Sequence, residues 1–137
     1  VTRVVDASIV VSALVDSGPA GVWAEAQLEK GSLAAPHLML VEGANILRRA
    51  VLCGDISADA GTLAHADLAH LRVELFPYEP FADRVWELRA NLTAYDAWYV
   101  AVAEALGAEL ITLDGRLARA TGPRCTIVTP PDGVLAD

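Results

Sequence analysis

The chain has 137 residues, 54% of them apolar and 20% charged, with a mean hydropathy of +0.39. That is enough apolar side chain for one core, and it excludes a disordered, solvating polymer. Ten Lys and Arg against 18 Asp and Glu leave a net charge of −8, which excludes an affinity for nucleic acid that comes from a broad basic surface.

Arg3 to Asp6 is a short apolar run closing on an acid, and it predicts a first strand ending at Asp6 with a short helix from Ile9 to Val15 behind it. Gly18 and Pro19 break that helix, and Pro19 suits the start of a second one through Lys30, stopped by Gly31. Ser32 to Ala35 reads as a brief strand. Pro36 opens a long helix to about Cys53, closed by Gly54; Ser57 caps another to about Leu71; Val73 to Pro77 is a strand. Pro80 begins a helix predicted to run to about Leu92. Thr93 then stands three residues before Asp96 in the arrangement of a capping box, and Ala97 to Leu106 is apolar enough to be buried against a sheet. Glu109 to Leu113 is a strand ending at Asp114, and Thr126 to Thr129 is the last.

Strands alternating with helices along the whole length predict an α/β fold, a three-layer sandwich with a mostly parallel sheet, as one domain over residues 1–137. The Pro130-Pro131 tail is the only loose end. The longest unbroken apolar run, Ala97 to Ala103, falls short of the roughly 18 to 20 residues that cross a bilayer. No basic segment followed by an apolar stretch opens the sequence, so the expected location is cytoplasmic. Cys53 and Cys125 have no CxxC spacing, and His37, His65 and His70 no HExxH spacing, which argues against zinc and against a disulfide framework.

In open parallel sheets the ligand crevice lies beyond the carboxyl ends of the strands. Asp6 and Asp114 each close a strand, and Asp96 opens the helix leading into the strand before Asp114, so topology brings all three to one edge. Glu42 is the fourth candidate. Its helix carries Leu38, Met39, Asn45, Ile46 and Arg49 on one side and Leu40, Ala44, Leu47 and Val51 on the other, so neither side is expected to be solvated and a carboxylate there needs a partner. Two unit charges about 5 Å apart repel by roughly 3 kcal/mol at an effective dielectric near 20. A cluster of such acids either raises its pKa values or holds a hard divalent cation, and oxygen-only ligands select Mg²⁺ or Mn²⁺ over zinc. Such an ion would also draw phosphates to a chain of net charge −8.

Each acid also has an ordinary reading: Asp6 as a helix cap, Asp96 as half of a capping box, Asp114 before Gly115 as a turn residue, and Glu42 as a partner of Arg49. Ser8 and Thr112 stand two residues from Asp6 and Asp114 and can hydrogen-bond them; Asn45 follows Glu42 by three and can steer a carboxylate. Arg48, Arg49, Arg116 and Arg119 flank the acids and can hold a phosphodiester, although solvated surface arginine is the ordinary reading of each. Trp98 and Tyr99, and likewise Trp23 and Trp86, sit in helices with apolar stripes and read as core.

The blocks Val5-Asp6-Ala7-Ser8, Glu42-Gly43-Ala44-Asn45-Ile46-Leu47, Thr93-Ala94-Tyr95-Asp96-Ala97-Trp98-Tyr99 with Val100 to Ala103, and Ile111-Thr112-Leu113-Asp114-Gly115-Arg116-Leu117 resemble, in this order, the motifs of PIN-domain ribonucleases, and within them VapC-type toxins of toxin–antitoxin pairs. The resemblance covers nearly the whole chain. It implies a five-stranded parallel sheet, with Asp6, Glu42, Asp96 and Asp114 as an acidic quartet holding Mg²⁺ or Mn²⁺. It also implies endoribonuclease activity on transfer or ribosomal RNA, dimerisation, and silencing by a VapB-type antitoxin. The sequence departs from the pattern after Asp114, where Gly115, Arg116 and Leu117 supply no further acid. The chemistry expected on this reading is in-line hydrolysis of an RNA phosphodiester by a water that the ion activates.

Rival readings fare less well on the same residues. A haloacid-dehalogenase-like Mg-dependent phosphatase needs a second aspartate where Ser8 stands, and a receiver domain needs a late lysine, whereas Lys30 is the only lysine. A dinucleotide-binding domain would carry GxGxxG after the first strand. A catalytically silent PIN-like binding module would have no need of acids at all four positions.

Overall fold

The structure, a computed structural model, describes residues 1–134. Its first strand, β1 (Thr2–Val5), lies at the centre of the sheet, and Val4 and Val5 are wholly buried, as a strand covered on both faces requires. β2 (Ser32–Pro36) flanks it on one side and β4 (Glu109–Ile111) on the other; β3 (Glu74–Phe76) and β5 (Ile127–Val128) form the edges. The order is β3-β2-β1-β4-β5 and every neighbouring pair is parallel.

The connections explain the three layers. α1 (Ala7–Val15) and α2 (Pro19–Leu28) lead from β1 to β2, and α3 (Leu38–Leu52) and α4 (Ala58–Ala69) lead from β2 to β3, both steps in one direction along the sheet. A 3-10 turn (Glu79–Phe81), α5 (Ala82–Glu87) and α6 (Ala94–Leu106) carry the chain back across to β4, and α7 (Gly115–Arg119) precedes β5. Right-handed crossovers therefore put α1 to α4 on one face and α5 and α6 on the other. The packing agrees: α1 meets α2, α3 and α4, whereas α6 runs against β1, β2 and β4. Because β1 leads off to one face and β4 to the other, a crevice opens between their carboxyl ends.

Local signals set the helix ends. Asp6, Ser57, Thr93 and Asp114 each occupy an N-cap and accept a backbone N–H. Gly107, at φ 62°, ends α6 in the left-handed conformation that favours glycine. Gly43 lets α4 close on α3, since a Cβ there would stand 2.9 Å from a methyl of Leu68.

Three expectations change. The helix predicted from Pro80 to Leu92 breaks, with α5 ending at Glu87 and the Leu88 carbonyl accepting the Asn91 and Leu92 amides in a turn. Val85 and Leu88 stay buried and Leu92 half-buried through that turn, so apolar spacing does not register it. α7 is too short to leave a periodic signal. α3 does have a solvated side: Met39, Gly43 and Leu47 face the core, while Val41 and Leu52 are 67% and 68% exposed. Among the described residues no single helix is long and apolar enough to cross a membrane.

Candidate functional site

Asp6 leaves the end of β1 and caps α1, its Oδ1 accepting the Ser8 amide at 3.4 Å while its Oδ2 accepts the Thr112 hydroxyl at 2.6 Å. Thr112 is completely buried just beyond β4, and its Oγ1 in turn accepts the Asp114 amide at 3.0 Å. Ser8 Oγ accepts the Leu113 amide at 3.3 Å. The two hydroxyl side chains thus fasten the segments after β1 and β4 together, with Asp6 between them.

The other acids arrive on helices. Asp96 lies in the first turn of α6, where its amide donates to Thr93 Oγ1 at 3.2 Å and the helix N-terminus favours an anion. Glu42 projects from α3, and its Oε1 accepts the Tyr99 hydroxyl from α6 at 2.6 Å. Asp114 caps α7, accepting the Arg116 amide at 2.9 Å, and makes a 3.4 Å ion pair with the Arg116 guanidinium at the exposed rim, where such pairs contribute little.

The electrostatics bind these residues into one site. Burial pushes the Asp6 carboxyl above the ordinary range; the Thr112 and Ser8 hydrogen bonds oppose this and the Asp114 charge adds to it. Burial also raises Glu42, against the Tyr99 hydrogen bond and with help from Asp6 and Asp96. Asp96 is raised by burial and by the charges of Asp6 and Asp114, with Arg116 opposing. Among the described residues no Lys, Arg or His forms a salt bridge with Asp6, Glu42 or Asp96.

Two small hollows flank the cluster. One, of about 170 Å³, is lined by Asp6, Ser8, Glu42, Asn45 and Arg49 among others; the second, of about 250 Å³, is lined by Thr93, Asp96, Asp114 and Arg116 among others. Among the described residues a larger hollow, about 740 Å³, lies at the opposite edge of the sheet and has only Arg72 and Glu74 as charged lining residues, so volume and chemistry point to different places and the chemistry decides. The sequence-predicted arginines divide: Arg49 and Arg116 line the two acidic hollows, Arg48 lines the groove between α3 and α4 beside Leu52 and His65, and Arg119 is exposed at the end of α7.

Among the described residues no three acids close into a ready-made cation cage. The donor set still suits a hard cation that keeps much of its water shell and takes one or two carboxylates directly. It offers carboxylate, hydroxyl and amide oxygens, with no thiolate or imidazole lining either hollow. Tyr99 is the residue that sequence reasoning leaves in the core: its body is buried there, but its hydroxyl reaches Glu42. Its place one turn after Asp96 on α6 was the available signal. Trp98 packs edge-on against Tyr78, at 5.3 Å between ring centroids, as a core residue would. Trp86, by contrast, is exposed and stacks under Arg89.

Comparison with known proteins agrees with the fold. The PIN domain family model matches residues 3–123. Ribonuclease VapC1 of Mycobacterium tuberculosis is 42% identical over 125 residues, 90% of this chain and 94% of its own length. Ribonuclease VapC9 of the same species is 40% identical over 128 residues, 93% and 98% of the two chains. Among solved structures, VapC20 of M. tuberculosis, a sarcin-ricin loop cleaving toxin, superposes with a TM-score of 0.66 at 17% identity, covering 85% of this chain and 93% of its own. VapBC2 of Rickettsia felis, solved with a promoter DNA fragment, gives 0.65 at 15% identity over 94% and 98%. At such identities these structures speak for the fold: the five-stranded parallel sheet flanked by helices.

Proposed function

This chain belongs to the PIN domain family, and from that premise we propose that it is a divalent-cation-dependent endoribonuclease, the toxin of a VapBC-type toxin–antitoxin pair that cuts transfer or ribosomal RNA and so stops translation and growth. One observation carries the reading: Asp6, Glu42 and Asp96 come together, partly buried, at the sheet's switch point, and among the described residues none of them has a salt-bridging Lys, Arg or His; burial and neighbouring acidic charge push all three carboxyls upward. Mg²⁺ or Mn²⁺ held by Asp6, Glu42 and Asp96, with Asp114 beside them, relieves that repulsion. When bound, such an ion supplies Lewis acidity, neutralising charge that develops on a scissile phosphate and acidifying water.

The chain's own side chains do the rest. Thr112 holds Asp6 Oδ2 in one orientation and fixes the Asp114 amide, so the two acids keep their spacing without reorganising. Asp114 orients the attacking water. Arg49 and Arg116, one on each hollow, hold the phosphodiester on either side of the cut, with Asn45 beside Arg49 and the exposed Arg119 further out at the end of α7; Arg48 faces the groove between α3 and α4 and is left out of that path. Arginines at the cleft bring RNA to a chain whose net charge of −8 would repel it.

A protein partner fits the opposite kind of surface. Val41, Leu52 and Leu63 on α3 and α4 are 64% exposed or more, as is Val22 on α2, and a groove of about 380 Å³ lies between α3 and α4. Apolar surface of this kind supports contact with a VapB-type antitoxin and with a second copy of the chain. The setting for these contacts is the cytosol, where the RNA is.

The test is cleavage of RNA by the purified chain in Mg²⁺. D96N is expected to lower the rate by about three orders of magnitude while its circular dichroism stays native. Full activity in D96N, or of the parent chain in excess chelator, overturns the proposal.

A further inference from the structure

We propose that the Tyr99 hydroxyl is a positioning group for Glu42: it occupies one of the two Glu42 carboxylate oxygens and thereby tunes the acidic centre toward magnesium-like cations and away from calcium. This rests on the cation-binding reading above and goes beyond it by giving a residue outside the acidic quartet a part in choosing the ion.

The hydrogen bond is 2.6 Å long, in the short range of an O–H to carboxylate contact. It spans the two helical layers, from α6 on one face of the sheet to α3 on the other. Tyr99 is only 2% exposed, so its ring cannot swing away to solvent. An ordinary phenol keeps its proton at neutral pH, with a pKa of about 10, so its role beside the carboxylate is that of a donor. One lone pair of Glu42 Oε1 is therefore taken up by the phenol, while Oε2 accepts no hydrogen bond among the described residues.

That asymmetry matters to a cation. Calcium takes six to eight oxygens and readily accepts both oxygens of one carboxylate, whereas magnesium needs near-octahedral geometry and takes carboxylates singly. A glutamate held by one oxygen offers a single ligand; a released glutamate is free to chelate with both. A tyrosine that merely fills the core would contribute stability without discriminating between ions, so ion preference separates the two roles.

The experiment titrates the full chain with Mn²⁺ and, separately, with Ca²⁺ by calorimetry, in the parent and in Y99F. The parent should bind Mn²⁺ more tightly than Ca²⁺. Y99F should weaken Mn²⁺ binding about tenfold and leave Ca²⁺ unchanged or tighter, so the preference falls about tenfold. E42D, one methylene shorter and drawn back from the phenol, should lose the same preference, which covers the case in which Y99F does not fold. In an E42A background, adding Y99F should change nothing further. An unchanged Mn²⁺ to Ca²⁺ ratio in Y99F or E42D, including a parallel loss for both ions, overturns the inference and leaves the cation site standing, as does a further effect of Y99F on top of E42A. A parent chain that binds neither ion overturns both.

Discussion

Glu104 and Glu42 are both partly buried glutamates, and the chain treats them in opposite ways. Glu104, in the last turn of α6, receives Arg84 Nε at 2.7 Å, Arg84 Nη2 at 3.1 Å and the Arg124 amide at 2.7 Å. Burial works against its charge, but Arg84 and the Arg124 amide hold its carboxyl below the ordinary range. Arg84 also donates to the Gly122 carbonyl at 3.0 Å, so the cluster ties α5, α6 and the approach to β5. Glu42 accepts the Tyr99 hydroxyl, and Asp6 the Thr112 hydroxyl and the Ser8 amide, all of them neutral donors, and both carboxyls, like that of Asp96, stay raised. A guanidinium neutralises Glu104 within the fold, whereas among the described residues Asp6, Glu42 and Asp96 have no salt-bridge partner.

The comparison breaks if removing the two kinds of acid has the same effect on stability. E104A should cost about 3 kcal/mol, because it leaves Arg84 and the Arg124 amide without their acceptor; the midpoint of urea unfolding measures it. A loss within about 0.5 kcal/mol would reduce Glu104 to a surface pair. The acidic centre should respond to ions instead: Mn²⁺ at a hundred times its dissociation constant should stabilise the chain by about 2.7 kcal/mol, read as a concentration-dependent melting temperature, with no such rise in D6N.

The two regions should also titrate with opposite sign. Glu104 has a lowered folded-state pKa, so its stabilisation is present above the ordinary carboxylate range and is lost as pH falls through the lowered value. Asp6, Glu42 and Asp96 have raised ones, so their contribution favours folding below the ordinary range and is lost as pH rises through the raised values. The E104A penalty and any gain from neutralising a cleft acid should therefore both shrink in acid, measured as unfolding midpoints across a pH series.

Much of the cleft was legible before any coordinates because its acids also do ordinary local work. Asp6 and Asp114 close apolar strand runs and cap the helices behind them, and Thr93 sits at capping distance from Asp96, so hydropathy and cap chemistry place all three. Glu42 was legible only as a charge on a helix with apolar residues on both sides, and the solvated side of α3 escaped notice because its exposed residues include Val41 and Leu52. The Tyr99 contact was not legible: the sequence separation between α3 and α6 hides it, and a buried tyrosine in an apolar helix looks the same whether or not its hydroxyl has a partner. The Arg84 cluster was hidden in the same way, since it joins three segments that meet only in the folded sheet.

The central claim, that the cleft acids are left unneutralised because they await a cation, is tested most directly by the sign of one difference. The melting temperature of D6N minus that of the parent is measured first in chelator and then in saturating Mn²⁺, at neutral pH. The account predicts a positive difference in chelator, worth about 1 kcal/mol, turning negative in Mn²⁺ because only the parent gains from the ion. A D6N protein that is less stable than the parent in chelator, or a difference that Mn²⁺ leaves unmoved, would contradict it.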